Sequence, residues 1–301
     1  MGNGALGGAV VSQILQYIVS GATLGSTYGL TALGFTVIFN TTEIINFAQG
    51  EFVMLGGVLA VFAIRWGGLP LPVAVLLAVA LTTMVGVAVD RLTIRPARGR
   101  SVIALLIITI GVSIVLRGTA MLLFGKDTYA LPPFSGGEPL ALWGASVVPQ
   151  SLWVVGITFG TVVVMKFYFD RTISGKAMLA CACDRKAASL MGISVDTMVT
   201  LSFGFSALMG ALGGAILAPI TLTSYDVGIL LGLKGFAACI LGGLGNPFGA
   251  VAGGVILGIL ESLAAGLISS GYKDAVAFVI LLALLVVRPT GLFGARSAER
   301  V

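Results

Sequence analysis

The chain has 301 residues, of which 57% are hydrophobic and only 10% are charged. An ordinary soluble domain has about a quarter of its residues charged, so this composition excludes a soluble fold of the same size. The net charge is +5, and the basic residues lie in short clusters between apolar runs. That distribution is typical of membrane orientation rather than of nucleic-acid binding. We predict an all-α integral membrane protein in which residues 1–301 form a single transmembrane domain.

Apolar runs of about 20 residues, the length that spans a bilayer as a helix, predict a polytopic bundle of about 8–9 transmembrane helices. The first run contains glycines near residues 21–25 and 29–34 at which its helix can break. The seventh run is short. In chain order, the predicted helices cover residues 11–39, 49–64, 71–89, 102–124, 152–169, 199–220, 228–241, 248–268 and 275–287.

Basic residues are distributed unevenly between the two sides of such a bundle. With nine helices, eleven Lys and Arg residues fall on one side and three on the other. Because the more basic side faces the cytoplasm, we predict a multi-pass protein with a cytoplasmic C-terminus. The first side carries Arg91, Arg95, Arg98, Arg100, Arg171, Lys176, Arg185, Lys186, Arg288, Arg296 and Arg300, and the second side carries Arg65, Lys126 and Lys273.

A weak internal similarity relates residues 50–57 to residues 246–254. Each segment leads through a phenylalanine to a pair of glycines at the start of an apolar helix. Inverted repeats are common in transporters, and their glycine-interrupted segments often line the substrate path. Because the match is short, an inverted repeat and a chance similarity both stay open.

The connection between residues 170 and 200 lies on the predicted cytoplasmic side. Residues 178–190 contain good helix formers, and Gly192 is placed to end a short surface helix, since glycine adopts the left-handed conformation that often follows a helix. A projecting helix of this kind suits docking into a groove on a partner protein. A polar interhelical loop with helical propensity is the alternative.

Three segments of the chain form a pattern in the same order as in a known family. Lys186-Ala187-Ala188, with Gly192 four residues later, resembles the EAA-x-x-x-G loop by which ABC-importer permeases dock on their ATPases. Residues 45–52, INFAQGEF, are similar to the INFAHGEF motif of the branched-chain amino acid (LivH-type) permeases. The stretches GLKGF at 232–236 and LGGLG at 241–245 resemble the C-terminal segment of the same permeases.

The resemblance implies one membrane permease subunit of an ABC importer in the bacterial inner (plasma) membrane, moving branched-chain or related amino acids inward. It implies a second LivH/LivM-like permease, two cytoplasmic ABC ATPases, a periplasmic or extracellular solute-binding protein and membrane lipid as partners, without nucleic acid. Lys186 replaces the Glu of the family motif, and Gln49 replaces its frequent His. The ATPase-docking residues are then Asp184, Arg185, Lys186, Ala187, Ala188 and Gly192.

Two groups of polar residues lie where the sequence is otherwise apolar. Glu43, Asn46, Gln49 and Glu51 fall within nine positions, and we predict that they border the translocation path, with a helix start at the membrane interface as the alternative. Ionisable residues inside transmembrane helices are costly unless they are paired. We therefore predict an intramembrane ion pair between Lys234 and Glu261, in either a structural or a substrate-binding role, with pairing to a partner subunit as the alternative.

The sequence argues against chemistry performed by the chain itself. It has no histidine and no GxxxxGK[ST] motif, so a histidine base and a P-loop ATPase site are both excluded. We expect no catalytic residue, metal or cofactor, and we expect ATP hydrolysis on partner chains. Two alternatives stay open: the same permease class with urea or a short amide as cargo, and an ion-coupled secondary transporter whose ion site includes Glu43, Glu51 or Glu261.

Overall fold

A computed structural model of the chain describes residues 3–136, 138–142, 145–288 and 290–294. Eight helices in these residues are long and apolar enough to cross a membrane, and the predicted all-helical bundle is confirmed. A small antiparallel hairpin joins β1 (Leu140–Leu142) to β2 (Ala145–Val147). The helices are α1 (Asn3–Thr42), α2 (Gln49–Gly67), α3 (Leu71–Val89), α4 (Val102–Phe124), α5 (Pro149–Arg171), α6 (Ile173–Cys183), α7 (Arg185–Leu190), α8 (Val195–Thr221), α9 (Val227–Gly242), α10 (Pro247–Leu267) and α11 (Lys273–Val287).

Local capping chemistry explains why α4 has the ends predicted from the sequence. The Ser101 hydroxyl accepts a hydrogen bond from the backbone N–H of Ala104 (3.3 Å), which satisfies one of the free donors at a helix start. At the other end Gly125 has φ +86°, a conformation that L side chains avoid. The apolar run and the helix therefore coincide.

The predicted break in the first helix is wrong, because α1 is continuous through its glycines. These glycines instead allow α10 to approach closely. A Cβ atom on Gly21 would lie 2.6 Å from Cα of Ile259, and one on Gly25 would lie 2.6 Å from the carbonyl oxygen of Gly254. Small residues let membrane helices pack backbone to backbone, so the glycine pattern encodes a helix–helix contact.

The predicted surface helix at residues 178–190 is two helices, α6 and α7. The chain is extended at Asp184 (φ −158°), whose carboxylate accepts hydrogen bonds from the backbone N–H groups of Lys186 (2.8 Å) and Ala187 (3.1 Å). Aspartate favours this helix-capping conformation over a helix interior. It therefore ends α6 and starts α7.

The bundle contains two halves that run in opposite directions, because Glu43 at the end of α1 lines the same cavity as Val195 at the start of α8. α1 packs on α10 and α8 packs on α3, while α2 contacts α8 and α9 contacts α1. Each contact that a helix of α1–α4 makes with the other half therefore has an equivalent made by the matching helix of α8–α11. This is the arrangement of an inverted repeat. The similarity between residues 50–57 and 246–254 would pair α2 with α10. The contacts instead make α9 the counterpart of α2, which favours the chance alternative for that similarity.

A sharp corner marks the same point in each half. Glu43 follows α1 with φ +54°, and Leu222 follows α8 with φ +64°; within the described residues these are the two non-glycine residues with positive φ. A short non-helical segment then leads to α2 or to α9. Side chains other than glycine rarely adopt this conformation, so its presence at both corners supports the repeat.

The two ends of the bundle differ in charge, as the sequence pattern predicts. At one end, here called the basic end, the Arg95 and Arg98 side chains meet Asp196 at the start of α8. The segment after Arg288 returns to this end, where Leu292 N–H donates to the carbonyl oxygen of Leu241 (2.9 Å). Arg296 and Arg300 lie outside the described residues. The cytoplasmic orientation of the basic end stays a prediction.

The opposite end, here called the loop end, carries the long connection after α4. Tyr129 and Thr223 exchange two backbone hydrogen bonds of 2.8 Å, which joins this connection to the corner after α8. The Arg65 guanidinium lies 4.8 Å from the centre of the Tyr129 ring, within the range of a cation–π contact. The loop end is therefore built from elements of both halves.

Candidate functional site

The helix α2 begins inside the bundle rather than at its end. Gln49 contacts Ser206 of α8, which lies about 16 Å along the helix from Val195 at a rise of 1.5 Å per residue. α9 also begins inside the bundle, because Gly50 packs directly against Gly228. The N-termini of two interrupted helices thus cross at partial depth. In transporters, such interrupted helices are common at substrate sites.

Protein groups satisfy the backbone between α1 and α2. Phe47 N–H donates to the Thr109 hydroxyl (3.2 Å), and the amide oxygen of Asn46 accepts from Ala48 N–H (3.1 Å). Irregular backbone at membrane depth is tolerated only where it is buried in protein or lines a cavity. Asn46 is fully buried, and its Nδ2 has no hydrogen-bond partner among the described residues.

Gln49 connects α2 to α8. Its Nε2 donates to the Ser206 carbonyl oxygen (3.1 Å), and its Oε1 accepts from the Ser206 hydroxyl. Gly34 of α1 lies directly against the same amide group, where a Cβ atom would overlap it. Both polar atoms of Gln49 are therefore engaged in helix contacts, and the role assigned to it in the translocation path stays a prediction.

Glu51 is a buried acid in the first turn of α2 that borders a pocket. It is 1% exposed, and its Oε1 accepts a hydrogen bond from the Ser113 hydroxyl (2.8 Å). Its Oε2 has no hydrogen-bond partner among the described residues. The pocket has a volume of about 280 Å³ and lies between α1, α2, α4 and α9. A half-satisfied carboxylate in such a place is suited to bind a cation or a hydrogen-bond donor.

Glu43 lies apart from the other three predicted path residues. It is exposed and lines a cavity of about 270 Å³ at the basic end, together with Arg98, Arg100 and Arg185. The structure therefore brings Asn46, Gln49 and Glu51 together at partial depth and places Glu43 near the predicted membrane surface, among basic side chains.

Lys234 and Glu261 lie side by side in the bundle. Lys234 Nζ is 2.7 Å from Glu261 Oε1 and 2.6 Å from Asp274 Oδ1, and it also donates to the Tyr28 hydroxyl (3.3 Å). Lys234 is 5% exposed and Glu261 is 3% exposed. Asp274, in the first turn of α11, was not predicted from the sequence as a partner of Lys234. The group joins α1, α9, α10 and α11.

The helices α6 and α7 project at the basic end. Ala188 is buried against the bundle, while Leu190 is 88% exposed and Met191 is 83% exposed. The N–H of Ile193 donates to the carbonyl oxygen of Ala188 (3.1 Å), and Gly192 has φ +83°. This is the hydrogen-bond pattern of a glycine-terminated helix, and it fixes the exposed apolar pair outside the spans.

Two acids at the basic end were not singled out in the sequence. Asp90 is fully buried; its carboxylate accepts from Arg98 (3.0 Å) and from the Thr200 hydroxyl (2.5 Å). Arg98 also pairs with Asp196. The signal was available, because an acid at the end of an apolar helix beside four arginines has ready partners. This network ties the connection after α3 to the start of α8, next to α7.

Comparison with known proteins identifies the family. Residues 17–285 match the family described as the permease component of the branched-chain amino acid transport system. The chain is 34% identical to the high-affinity branched-chain amino acid transport system permease protein LivH of Escherichia coli, over 95% of this chain and 97% of that protein. It is 33% identical to the corresponding permease protein BraD of Pseudomonas aeruginosa, over 97% of this chain and 99% of that protein.

A more distant relative shows how far this similarity reaches. The ribose import permease protein RbsC of Escherichia coli is 27% identical over 87% of this chain and 82% of that protein. Permeases similar to this chain are therefore named for different cargoes, branched-chain amino acids in LivH and ribose in RbsC. The match over most of the chain to the family model, together with the similarity to LivH and BraD, is decisive for the family: this chain belongs to the permease components of branched-chain amino acid transport systems.

Proposed function

We propose that this chain is one of two permease subunits of an ABC importer that moves branched-chain or related amino acids inward across the bacterial inner membrane. A second LivH/LivM-like permease supplies the other half of the pore. Two ATPases dock at the basic end, which faces the cytoplasm, and a solute-binding protein delivers the cargo at the loop end. Transport follows from a change in the populations of two conformations, which ATP on the partner chains drives.

The observation that carries the proposal is the exposed apolar pair on α7. Leu190 and Met191 lie in the connection between the spans α5 and α8, beside basic and polar residues, and the chain's own core does not cover them. Ala188 anchors the helix on the other side through contacts with the core around Met178 and Met198. A short helix held from behind, with a free apolar face, is suited to insert into a groove on a partner.

The charge at this surface departs from the family motif at Lys186, which is exposed. The family resemblance places a Glu there. A reversed charge on an exposed docking residue changes partner selection more than affinity. We therefore infer that the cognate ATPase presents an acidic group to Lys186.

Uptake of labelled solute into proteoliposomes tests the proposal. The vesicles contain this chain with its genomically neighbouring permease, ATPases and binding protein, and the solutes are leucine, valine and urea. We expect leucine or valine uptake that requires ATP. ATP-dependent uptake of urea alone would keep the mechanism and overturn the cargo. Uptake that follows an ion gradient without ATPases would refute the importer and favour the secondary transporter.

Co-purification of the ATPases tests the docking surface separately. Leu190→Asp places a charge on the exposed face of α7 without disturbing the packing of Ala188. We expect it to abolish ATPase binding, because a desolvated unpaired charge at an interface is strongly unfavourable. Leu140→Asp, at an exposed leucine of the loop end, is the matched control and should bind normally. Equal recovery of ATPase with both variants would contradict the assignment.

A further inference from the structure

The pocket beside Glu51 contains an acid and a base that are not paired with each other. Arg117 lies one helical turn beyond Ser113 on α4, on the same face, and lines the same pocket as Glu51. Within the described residues, Arg117 and Glu51 do not form an ion pair within 4 Å. Glu51 Oε2 lies against Gly228 with no hydrogen-bond partner there. Both side chains border the same cavity of about 280 Å³.

The rest of the pocket is mainly apolar. Phe35 and Phe47 line it on the side of α1 and α2, and Ile110 and Ile114 line it on the side of α4. Its volume of about 280 Å³ lies just below the range of about 300–1,000 Å³ for drug-sized ligands. This size and lining fit one small molecule with an apolar side chain and two opposite charges.

We propose that this pocket is the site at which the permease holds a zwitterionic amino acid in transit, an inference that rests on the proposed function. Glu51 binds the ammonium group, Arg117 binds the carboxylate, and the four phenylalanine and isoleucine side chains hold the branched side chain. Carboxylate–ammonium and guanidinium–carboxylate contacts are the stronger class of hydrogen bonds. They also discriminate against a neutral solute such as urea, which would leave both charges unpaired.

The second permease completes the site. Ile110 is 45% exposed and Ile114 is 55% exposed, so the rim of the pocket is open in the isolated chain. Charged groups that face hydrocarbon are strongly unfavourable and normally face protein or a water-filled cavity. The same face of α4 and α9 therefore turns toward the partner permease, and the path runs between the two subunits.

The first test measures transport by neutral variants in the complete complex. Glu51→Gln keeps the side-chain size and removes the charge, and Arg117→Gln removes the charge and leaves a shorter polar side chain. We expect leucine uptake to fall by about tenfold or more, the effect of one charged hydrogen bond, while ATP hydrolysis stimulated by the loaded binding protein stays within about twofold. Glu51→Asp and Arg117→Lys should recover part of the uptake. Lys166→Gln, at an exposed lysine on α5, should transport normally.

The second test measures occupancy directly, and it decides the case even where a neutral variant fails to assemble. Ile229→Cys, at a partly exposed residue of α9 that lines the pocket beside Gly228, is labelled with a small methanethiosulfonate reagent in a background without the three native cysteines. We expect leucine to slow the labelling, and 4-methylpentanoate and isopentylamine, which lack the ammonium and the carboxylate respectively, to have little effect. Val115 is 65% exposed on the other side of α4. Val115→Cys is therefore the control, and leucine should not slow its labelling.

The outcomes separate the site from the proposed function. A wild-type complex without ATP-dependent leucine uptake would refute the cargo, and the amino-acid site with it. A wild-type complex that transports leucine, while Glu51→Gln and Arg117→Gln also transport it at the normal rate, would overturn the site alone. So would labelling of Ile229→Cys that leucine does not slow, even if both neutral variants were inactive, because the two charges would then have only a structural role.

Discussion

Replacing Lys234 by methionine removes the cation from a buried group that contains two acids. The methionine side chain has a similar length and fills the same space, so the change is chiefly one of charge. Glu261 is 3% exposed, loses its 2.7 Å contact to Lys234 Nζ, and already has an Oε2 without a hydrogen-bond partner among the described residues. Asp274 is less affected, because its side chain is 41% exposed.

The expected loss of stability follows from these contacts. Breaking a buried ion pair by removing one partner costs about 3–5 kcal/mol, and leaving one acid unpaired in a transmembrane helix costs about 2.5–3.5 kcal/mol on insertion scales. We therefore expect Lys234→Met to lower the free energy of unfolding by about 3 kcal/mol. Glu261→Gln keeps the contact between Lys234 and Asp274, so about 1–2 kcal/mol is expected.

Equilibrium unfolding of the purified chain in mixed micelles, by titration with sodium dodecyl sulfate, measures these differences. The double variant Lys234→Met/Glu261→Gln should be more stable than Lys234→Met alone, because no unpaired charge is left at Glu261. Lys166→Met, an exposed lysine, should change stability by less than about 1 kcal/mol. A Lys234→Met variant as stable as the wild type would contradict a stabilising ion pair, and so would a double variant that is the least stable of the set.

Three further predictions concern packing, charge and orientation. Gly50→Ala puts a methyl group against the first turn of α9 and should lower the free energy of unfolding by about 1–3 kcal/mol, whereas Gly111→Ala, which faces open space, should not; equal stability of the two would contradict the close crossing. Arg98→Ala leaves the buried acid Asp90 with one partner fewer, and the same titration should show a loss of about 2–3 kcal/mol. Cys183 is exposed on the cytoplasmic side as proposed, so a membrane-impermeant maleimide should label it in inside-out vesicles; labelling in right-side-out vesicles would reverse the orientation.

The sequence predicted the helices because a span is defined by the length of its apolar run, which is a local property. The limits of α4 at Val102 and Phe124 needed only a serine before the run and a glycine after it. The break at Asp184 was also local, and the aspartate followed by good helix formers was its signal. The break was not predicted because the residues on both sides of Asp184 favour helix. A helix cap and a helix interior differ only in the backbone conformation of one residue.

Depth in the bundle could not be predicted from the sequence, because it depends on contacts between distant segments. Residues 45–52 resemble a helix start at the membrane surface, and their burial follows from the crossing of Gly50 with Gly228. The proximity of Lys234 to Glu261 could be predicted, because an unpaired charge inside a transmembrane helix is costly. Asp274 did not, because an acid at a helix start has an ordinary explanation in the helix dipole.

The inverted repeat and the polar site are separate properties of this chain. The two corners have the same backbone conformation, yet one is the charged Glu43 and the other is the apolar Leu222. The first turn of α2 carries the buried acid Glu51, and the first turn of α9 carries small and apolar residues. A fold supplies a scaffold, and function lies in the particular side chains placed on it. The polar groups therefore break the symmetry of the repeat. The pocket lies beside α4, which supplies Ser113 and Arg117.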